Sequence, residues 1–492
     1  MSHSMTKTNY CTAKQCPRRL WLQRYGEEKP AATPSDSAEE GIRVGLLARE
    51  HFGAQAVIPH STRREMAQAT EQLLNDGVSV IAEASFLLDG LFCSVDLLTS
   101  LGNNEVEIRE VKSSTGVKDT HLDDAAFQYH VLTALGYRVR RVSIVHINSG
   151  YVRRGELDLN ALFIEEDVTA EAAARAQLIP GELVLFDAEL NQPQEPLRDI
   201  GEHCFAPLAC EFFSHCTRDL PRRNVFGLHG MKTNTKLKLY REGIISFEEV
   251  RGYSKLSSGA RLQIEHTLQT QPPLIHADAI RKFLSTLFYP LYFLDFESYQ
   301  TAIPPFDGIR PYDQIPFQYS LHRIESEGSD LEHTEFLAEA GTDPRRPLAE
   351  QLCRDIPRNV CVTAYNMAFE KDRIEELADL YPDLREHLLA IHKNIRDLMI
   401  PFRSKDYYTR DMEGSYSIKY VLPALFPGDP ALDYHNLDGV HKGTEAAAAF
   451  HCMTSMTPEE QAYWRRCLLE YCKLDTFAMV KVWQKLLEAA KR

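Results

Sequence analysis

The sequence predicts an α/β protein with two units that carry chemistry and a helical segment joining them. Three observations predict it. Short β-branched and aromatic runs occur in two separate stretches of the chain, each followed by helical periodicity. In each stretch, carboxylates sit on one strand or on successive strands among apolar neighbours. The length, 492 residues, suggests about three folded units at roughly 150 residues each. The boundaries read along the chain are 1–220, 221–285 and 286–492.

In the first unit, residues 1–60 read as helical, with apolar positions Leu20, Trp21, Val44, Leu47 and Phe52. Three β-rich runs follow, VSVIAEASFLL, LFCSVDLL and EVEIREVKS, separated by Asp89-Gly90 and Gly102-Asn103-Asn104. A helix is expected over 121–136, then the strand RRVSIVHI. Pro193 and Pro196 lie in a polar stretch that leads to Cys204, Cys210 and Cys216 and closes the unit near 220. The helical segment 221–285 begins beside a basic run: Arg218, Arg222, Arg223, Lys232, Lys236, Lys238 and Arg241. That run reads either as a solvated helix face or as a surface that tracks phosphates. In the last unit PLYFLDFES and PFQYSLHRI read as neighbouring strands and NVCVTAY as another. Helices follow over 369–380, 384–393 and 457–490.

Composition narrows the function. With 44% hydrophobic and 25% charged residues, the chain can bury a core without disulfides. Its longest apolar runs, VLTALG and LLAIH, fall far short of the ~20 residues that span a bilayer, so no membrane partner is expected. The opening MSHSMTKTNYCTAKQ lacks the apolar stretch of a secretory signal, and MSHS reads as an extension ahead of Met5. A cytoplasmic location is the expectation. Seventy acids against fifty-five bases leave a net charge of −15, unlike a protein that coats nucleic acid non-specifically. An enzyme acting on nucleic acid at carboxylate metal sites is not excluded, because the relevant field is local. Eleven cysteines without a secretory signal point to reduced thiols, and their clustering points to metal.

Asp96 lies in one strand, and Glu110-Val111-Lys112 lies on the next, fourteen residues on. Residues i and i+2 of a strand share a face, so Glu110 and Lys112 project together while Val111 turns towards the core. Two carboxylates and an ammonium on one face suit a hard cation and a developing phosphate charge. The plain alternative is an amphipathic hairpin whose charges face solvent. Gln128 opens a helix shortly afterwards.

Asp96, Glu110-Val111-Lys112 and Gln128 resemble the motifs of RecB-like PD-(D/E)XK nucleases, of the iron–sulfur type used in CRISPR adaptation and eukaryotic flap processing. The resemblance implies Asp96, Glu110 and Val111 as metal ligands, with Lys112 and Gln128 completing the catalytic set. It also implies a cluster site: Cys16 matches the lone N-terminal cysteine, and Cys204, Cys210 and Cys216 match the later three. Four thiolates can hold Zn²⁺ or a [4Fe–4S] cluster; the resemblance implies the cluster, in a structural role. Cys11 reads as a small buried residue instead. Where some members carry Gly-x-x-His, this chain has Gly45 followed by Ala48. His51 lies one turn later, either reaching the metal or packing in the core, and Glu83 is either a further acid of the site or a surface residue.

Asp295 and Glu297 occupy i and i+2 of an apolar strand, where two carboxylates are costly to bury unless they bind cations; the plain alternative is a strand end whose acids are solvated. Tyr471 and Asp475 stand at i and i+4, on one helix face. With Asn366, Phe369 and Glu370 between them, the order resembles the DEDDy exonucleases of the DnaQ, ribonuclease H-like class. Glu370 stands where that class has aspartate, and Asp372 or Asp397 are alternative ligands. The resemblance implies that four acids, Asp295, Glu297, Glu370 and Asp475, hold two Mg²⁺ or Mn²⁺ ions about 4 Å apart, with Tyr471 orienting the attacking water. Gly414-Ser415-Tyr416-Ser417-Ile418-Lys419 reads as a substrate-contacting loop or an ordinary one.

The whole layout resembles an uncharacterised bacterial family that joins the two modules, including its KQCPRRLWL, RPYDQIPFQYS and GSYSIKYVLP stretches. The fold it implies is a RecB-like PD-(D/E)XK nuclease domain joined by the helical segment to a ribonuclease H-like domain. The expected activity is metal-dependent hydrolysis of phosphodiesters, in single-stranded DNA, with 3′-to-5′ trimming by the C-terminal module. Two alternatives stand beside it: a nucleic-acid-binding or assembly subunit with one or both sites inactive, and an RNA-processing exonuclease.

Overall fold

A computed structural model describes residues 5–27, 36–269 and 271–492. The opening MSHS falls outside the described residues. The protein is mixed α/β and divides into two compact units, residues 1–219 with 301–313, and residues 220–300 with 314–492. No described helix is long and apolar enough to cross a membrane.

The first unit is built on one sheet. Its strands are β1 (Met5–Thr6), β2 (Ala56–Val57), β3 (Val80–Leu88), β4 (Leu91–Gly102), β5 (Glu105–Lys112), β6 (Arg138–Ile147) and β7 (Phe163–Asp167). They run in the order β2-β3-β4-β5-β6-β7, with β1 beside β4. Strands β3, β4 and β5 form an antiparallel meander, because Asp89 and Asn103-Asn104 adopt the left-handed conformations that tight turns need. The helix Asp119–Ala134 then crosses over, and β6 pairs parallel to β5.

Each face of this sheet is covered by apolar packing. Cys93, Val95, Val106 and Ile108 meet Phe127 and Val131 on one side; Ala82, Leu97 and Val145 meet Val44 and Ala48 on the other. The inside–outside alternation of β3 breaks at Glu83, whose φ is 56°. Ile81 and Ala84 consequently face the same core although they are three residues apart. Pairing with β4 lapses at that point, opposite Asp96.

The second unit holds β8 (Leu274–Ile275), β9 (Leu291–Tyr299), β10 (Ile315–Ile324), β11 (Leu331–Leu337), β12 (Cys361–Ala364), β13 (Ile395–Asp397) and β14 (Tyr407–Tyr408). Five strands form a sheet ordered β11-β10-β9-β12-β13; β8 pairs separately with β14. Only β10 among its inner strands runs antiparallel to β9, while β12 and β13 run parallel. Helices Arg345–Asp355, Ala368–Leu380 and Arg385–Asn394 cover one face, packing on Tyr292, Leu294 and Tyr319. The helix Pro458–Ala490 covers the other with Met479 and Trp483 against Phe293. A Thr457–Glu460 capping box starts it.

The helical stretch 221–285 is part of this second unit rather than a body of its own. Gln263 bonds the Gly227 and Glu413 carbonyls at 3.0 and 2.7 Å, and Arg223 pairs with Glu413 at 2.7 Å. Of the basic run, Lys236 turns inward to the Phe226 carbonyl at 2.8 Å and Lys238 lies 3.8 Å from Glu242, so the charges do not form one continuous stripe.

Candidate functional site

The first constellation begins with a row on β5. Val106 and Ile108 are buried in the core, and Glu110 continues the same row at 1% exposure. Its Oε1 accepts Lys112 Nζ at 2.8 Å and Lys7 Nζ at 2.5 Å, and its Oε2 accepts the Gln128 amide. Asp96 on β4 accepts the Val111 N–H at 2.7 Å, while the Val111 side chain packs towards the opposite core as expected. Lys112 also donates to Asp124 at 2.5 Å, and the Cys11 thiol donates to the other Asp124 oxygen at 3.1 Å. Asp96, Glu110, Lys112 and Gln128 are thus together. Gln128 lies in the middle of its helix, which starts at Asp119, and not at its start.

Lys7 and Asp124 are the members that sequence reading missed. Asp124 stands four residues before Gln128 on one helix face, a signal that was available. Lys7 offers no local signal, since Glu110 is 103 residues away. Burial, with Glu110 nearby, pushes the Asp96 carboxyl up to about 7. Burial would raise Glu110 as well, but Lys112 and Lys7 hold it down at about 2. Both ammoniums resist the effect of burial and stay above the ordinary lysine range, because carboxylates surround them. Ala48 is wholly buried in the core, and His51 packs its ring on Phe52 and Phe163. Glu83 forms an ion pair with Arg49 at 2.6 Å.

The four expected cysteines line one small cavity with Arg18, Arg19 and Phe212. Cys16 sits at the junction of helices Lys7–Gln15 and Pro17–Tyr25. Gln15 ties that junction to the His203 and Leu208 carbonyls at 2.8 and 2.7 Å, and the Cys210 N–H donates to the Cys204 carbonyl at 2.9 Å. Burial raises the thiols of Cys204 and Cys210, and that of Cys216 to about 11. Four soft donors converging on one cavity fit a thiolate-held metal group.

The second constellation follows the same local logic. Leu291 and Phe293 of β9 enter the core under the helix Pro458–Ala490, and Asp295 and Glu297 continue that row. Tyr471 and Asp475 descend on them from the helix. Donor oxygens of Asp295, Glu297 and Asp475 lie within 4.8 Å of one another. No other three histidine, cysteine or acid donors gather as tightly among the described residues. Gly443, first residue of the helix Gly443–Cys452, lies so close that a Cβ there would be 3.3 Å from Glu297 Oε2.

Glu370 is 3% exposed near the start of the helix Ala368–Leu380, and its Oε2 is buried without a hydrogen-bond partner. The alternatives fit less well. Asp397 spends one oxygen on the N–H groups of Asn366 and Met399, at 3.0 and 2.9 Å, which supports the left-handed Asn366 (φ 67°), and Asp372 is exposed. Tyr434 is an unforeseen member: its hydroxyl donates to Asp475 Oδ1 at 2.6 Å, with its ring 6.0 Å from Tyr471. Beside them opens a cleft of about 640 Å³, lined by Lys419, Tyr434, His441, Lys442, Tyr471 and Asp475. Of the Gly414–Lys419 loop, Ser415 is buried and Lys419 faces the cleft.

Burial and mutual repulsion dominate this site. Burial, then Asp475, Glu297 and Glu370, push Asp295 well above the usual carboxylate range. Burial also raises Glu297 and Glu370 to about 8 each. Asp475 rises only to about 6, because the Tyr434 hydroxyl and Lys419 offset part of its burial. Buried acids that resist ionising together, one with an orphaned oxygen, fit divalent cations that would relieve the repulsion. A family model described as a domain of unknown function (DUF2779) matches residues 292–417, about a quarter of the chain, which includes Asp295, Glu297 and Glu370 and stops short of Tyr434, Tyr471 and Asp475. No curated protein matches the chain.

Proposed function

We propose that the protein is a metal-dependent nuclease that hydrolyses phosphodiesters, with its principal site at Asp295, Glu297, Glu370 and Asp475 trimming single-stranded DNA from a 3′ end. The observation that carries this reading is the gathering of three carboxylates within 4.8 Å on one sheet face, with Glu370's unpartnered oxygen buried at the same sheet end. The strand order supports a ribonuclease H-like fold: the first strand is central, the second antiparallel to it, and the fourth and fifth parallel on its other side. A site at the carboxyl ends of such parallel strands is where open α/β sheets place their ligands. Asp295, Glu297, Glu370 and Asp475 would hold Mg²⁺ or Mn²⁺. Bound there, the cations would supply activation of water and neutralisation of the leaving oxygen.

The chain's own groups do the positioning. Tyr434 fixes which Asp475 oxygen faces the acids, and Tyr471 places a hydroxyl beside that carboxylate to orient the attacking water. Lys419 and Lys442 bring positive charge to the cleft, where a phosphate backbone would enter.

In the first unit, the meander β3-β4-β5, the crossover helix and β6 support a RecB-like PD-(D/E)XK reading, with Asp96, Glu110 and Val111 as the metal ligands and Lys112 and Gln128 beside them. Cys16, Cys204, Cys210 and Cys216 would hold a [4Fe–4S] cluster. Zn²⁺ is the alternative for the same four thiols. A specific observation also favours a second reading in which the first site is idle: Lys7 and Lys112 already pair with Glu110 through its Oε1.

The test is degradation of 5′-labelled single strands in Mg²⁺ or Mn²⁺. A ladder shortening from the 3′ end, abolished in Asp295→Asn, is the expected outcome. Binding without cleavage in either metal contradicts it and leaves an assembly subunit. Preference for RNA over DNA moves the substrate and keeps the chemistry.

A further inference from the structure

The two acid clusters differ in how their charge is balanced. The second contains no lysine bonded to its acids among the described residues; Lys419 acts on it only across the cleft. The first contains two. Lys112 is committed between Glu110 and Asp124, at 2.8 and 2.5 Å, and would suffice as the fixed ammonium of the motif. Lys7 is additional. Its Nζ lies 2.5 Å from Glu110 Oε1, and Asp96 and Asp124 add to the field around it.

We propose that Lys7 is a built-in cation occupying the position at which the first site would take a divalent metal, so that metal loads by displacing the Lys7 ammonium. The inference rests on the nuclease reading of Asp96 and Glu110. The double pairing supports it. Lys7 and Lys112 both bond Glu110 Oε1, at 2.5 and 2.8 Å, so a divalent ion that displaced the Lys7 ammonium would find Lys112 still in place and Glu110 still paired with positive charge. The backbone of Lys7 is fixed, because Met5 and Thr6 pair with Leu91 and Phe92, and Thr6 caps the helix Lys7–Gln15. The side chain has a way out: it is 19% exposed, on a four-carbon stem that can swing its ammonium to water once the ion pair breaks. Lysine here keeps the empty acid cluster folded and sets a threshold of metal concentration below which the site is idle.

The experiment uses the full chain carrying Asp295→Asn, which silences the second site, and counts bound Mn²⁺ by the loss of the free-ion electron paramagnetic resonance signal. Lys7→Met and Lys7→Gln should each bind Mn²⁺ at least about tenfold more tightly than the parent, since a like charge within a few ångströms is removed. Adding Glu110→Gln should remove that gain. Unchanged or weaker binding overturns the proposal, as does a gain that survives Glu110→Gln. A second measurement needs no substitution: in wild-type protein, Lys7 should be inert to an amine-acetylating reagent and become reactive as Mn²⁺ is added. Reactivity that does not change with Mn²⁺ also overturns it. Failure of the nuclease reading itself looks different: wild-type protein that leaves labelled strands intact in Mn²⁺, or cleavage that persists when Asp96→Asn and Asp295→Asn are combined.

Discussion

Asp475 owes its orientation to a tyrosine 41 residues away as much as to its own helix. Removing the Tyr434 hydroxyl leaves the ring packing and frees one carboxylate oxygen. Partners that orient a ligand usually cost 10–100-fold in affinity or activity when lost, so Tyr434→Phe should lower Mn²⁺ affinity and turnover by about that factor while leaving the thermal midpoint within a few degrees. Unchanged metal affinity would show that Asp475 needs no such support. Residues of this kind mark the limit of what sequence shows. Tyr471 and Asp475 were legible because a helix repeats every 3.6 residues, and Glu110 and Lys112 because a strand repeats every two. Tyr434, Lys7 and Asp397's role as a backbone cap arise only when distant segments meet. His51 was ambiguous for the same reason, and its ring is taken by Phe52 and Phe163.

At the scale of elements, both sites are made in one way: an apolar row on a strand runs into the core and ends in an acid. In β5 the row is Val106, Ile108, Glu110; in β9 it is Leu291, Phe293, Asp295, Glu297. Hydrophobic burial pulls the acids in, and the acids answer with shifted ionisation. Glu297 and Glu370, ordinarily near 4.5, are raised to about 8. An acid raised on folding adds stability that is fully present below its unfolded value and is lost as pH climbs through its folded one. Metal-free protein should therefore lose stability between about pH 4.5 and 8, and Mn²⁺ should restore it. Thermal unfolding in EDTA and in Mn²⁺ should show a larger metal-induced rise in midpoint at pH 8.5 than at pH 6. An increment that does not grow with pH would mean that these acids do not bind the ion. The strands bearing acids were readable from their apolar alternation. β11 was not, because LEHTEFL is an edge strand with four of its seven residues exposed and its apolar residues Leu331, Phe336 and Leu337 out of any two-residue period. β13, three residues long, is too short to carry a period.

For the whole molecule, the two acid clusters lie on one chain, each within its own compact unit. The α/β class and the order of the longer strands and helices were visible in periodicity. The assignment of 301–313 to the first unit was not: Ala302 and Arg153 place it there through bonds to Glu40 and to the Pro304 and Pro305 carbonyls, which no local pattern announces. The four-cysteine cavity gives a test at this scale. Anaerobically purified protein should be brown and carry iron, and Cys210→Ser should lose both while 3′ trimming by the second unit survives. Colourless, zinc-bearing wild type would retire the cluster and leave the nuclease sites standing. The most direct measurement is anomalous diffraction from a crystal of the protein soaked in Mn²⁺. The account predicts peaks between Asp295, Glu297 and Asp475, separated by about 4 Å if two ions bind; an absence of anomalous density among these three carboxylates would contradict it.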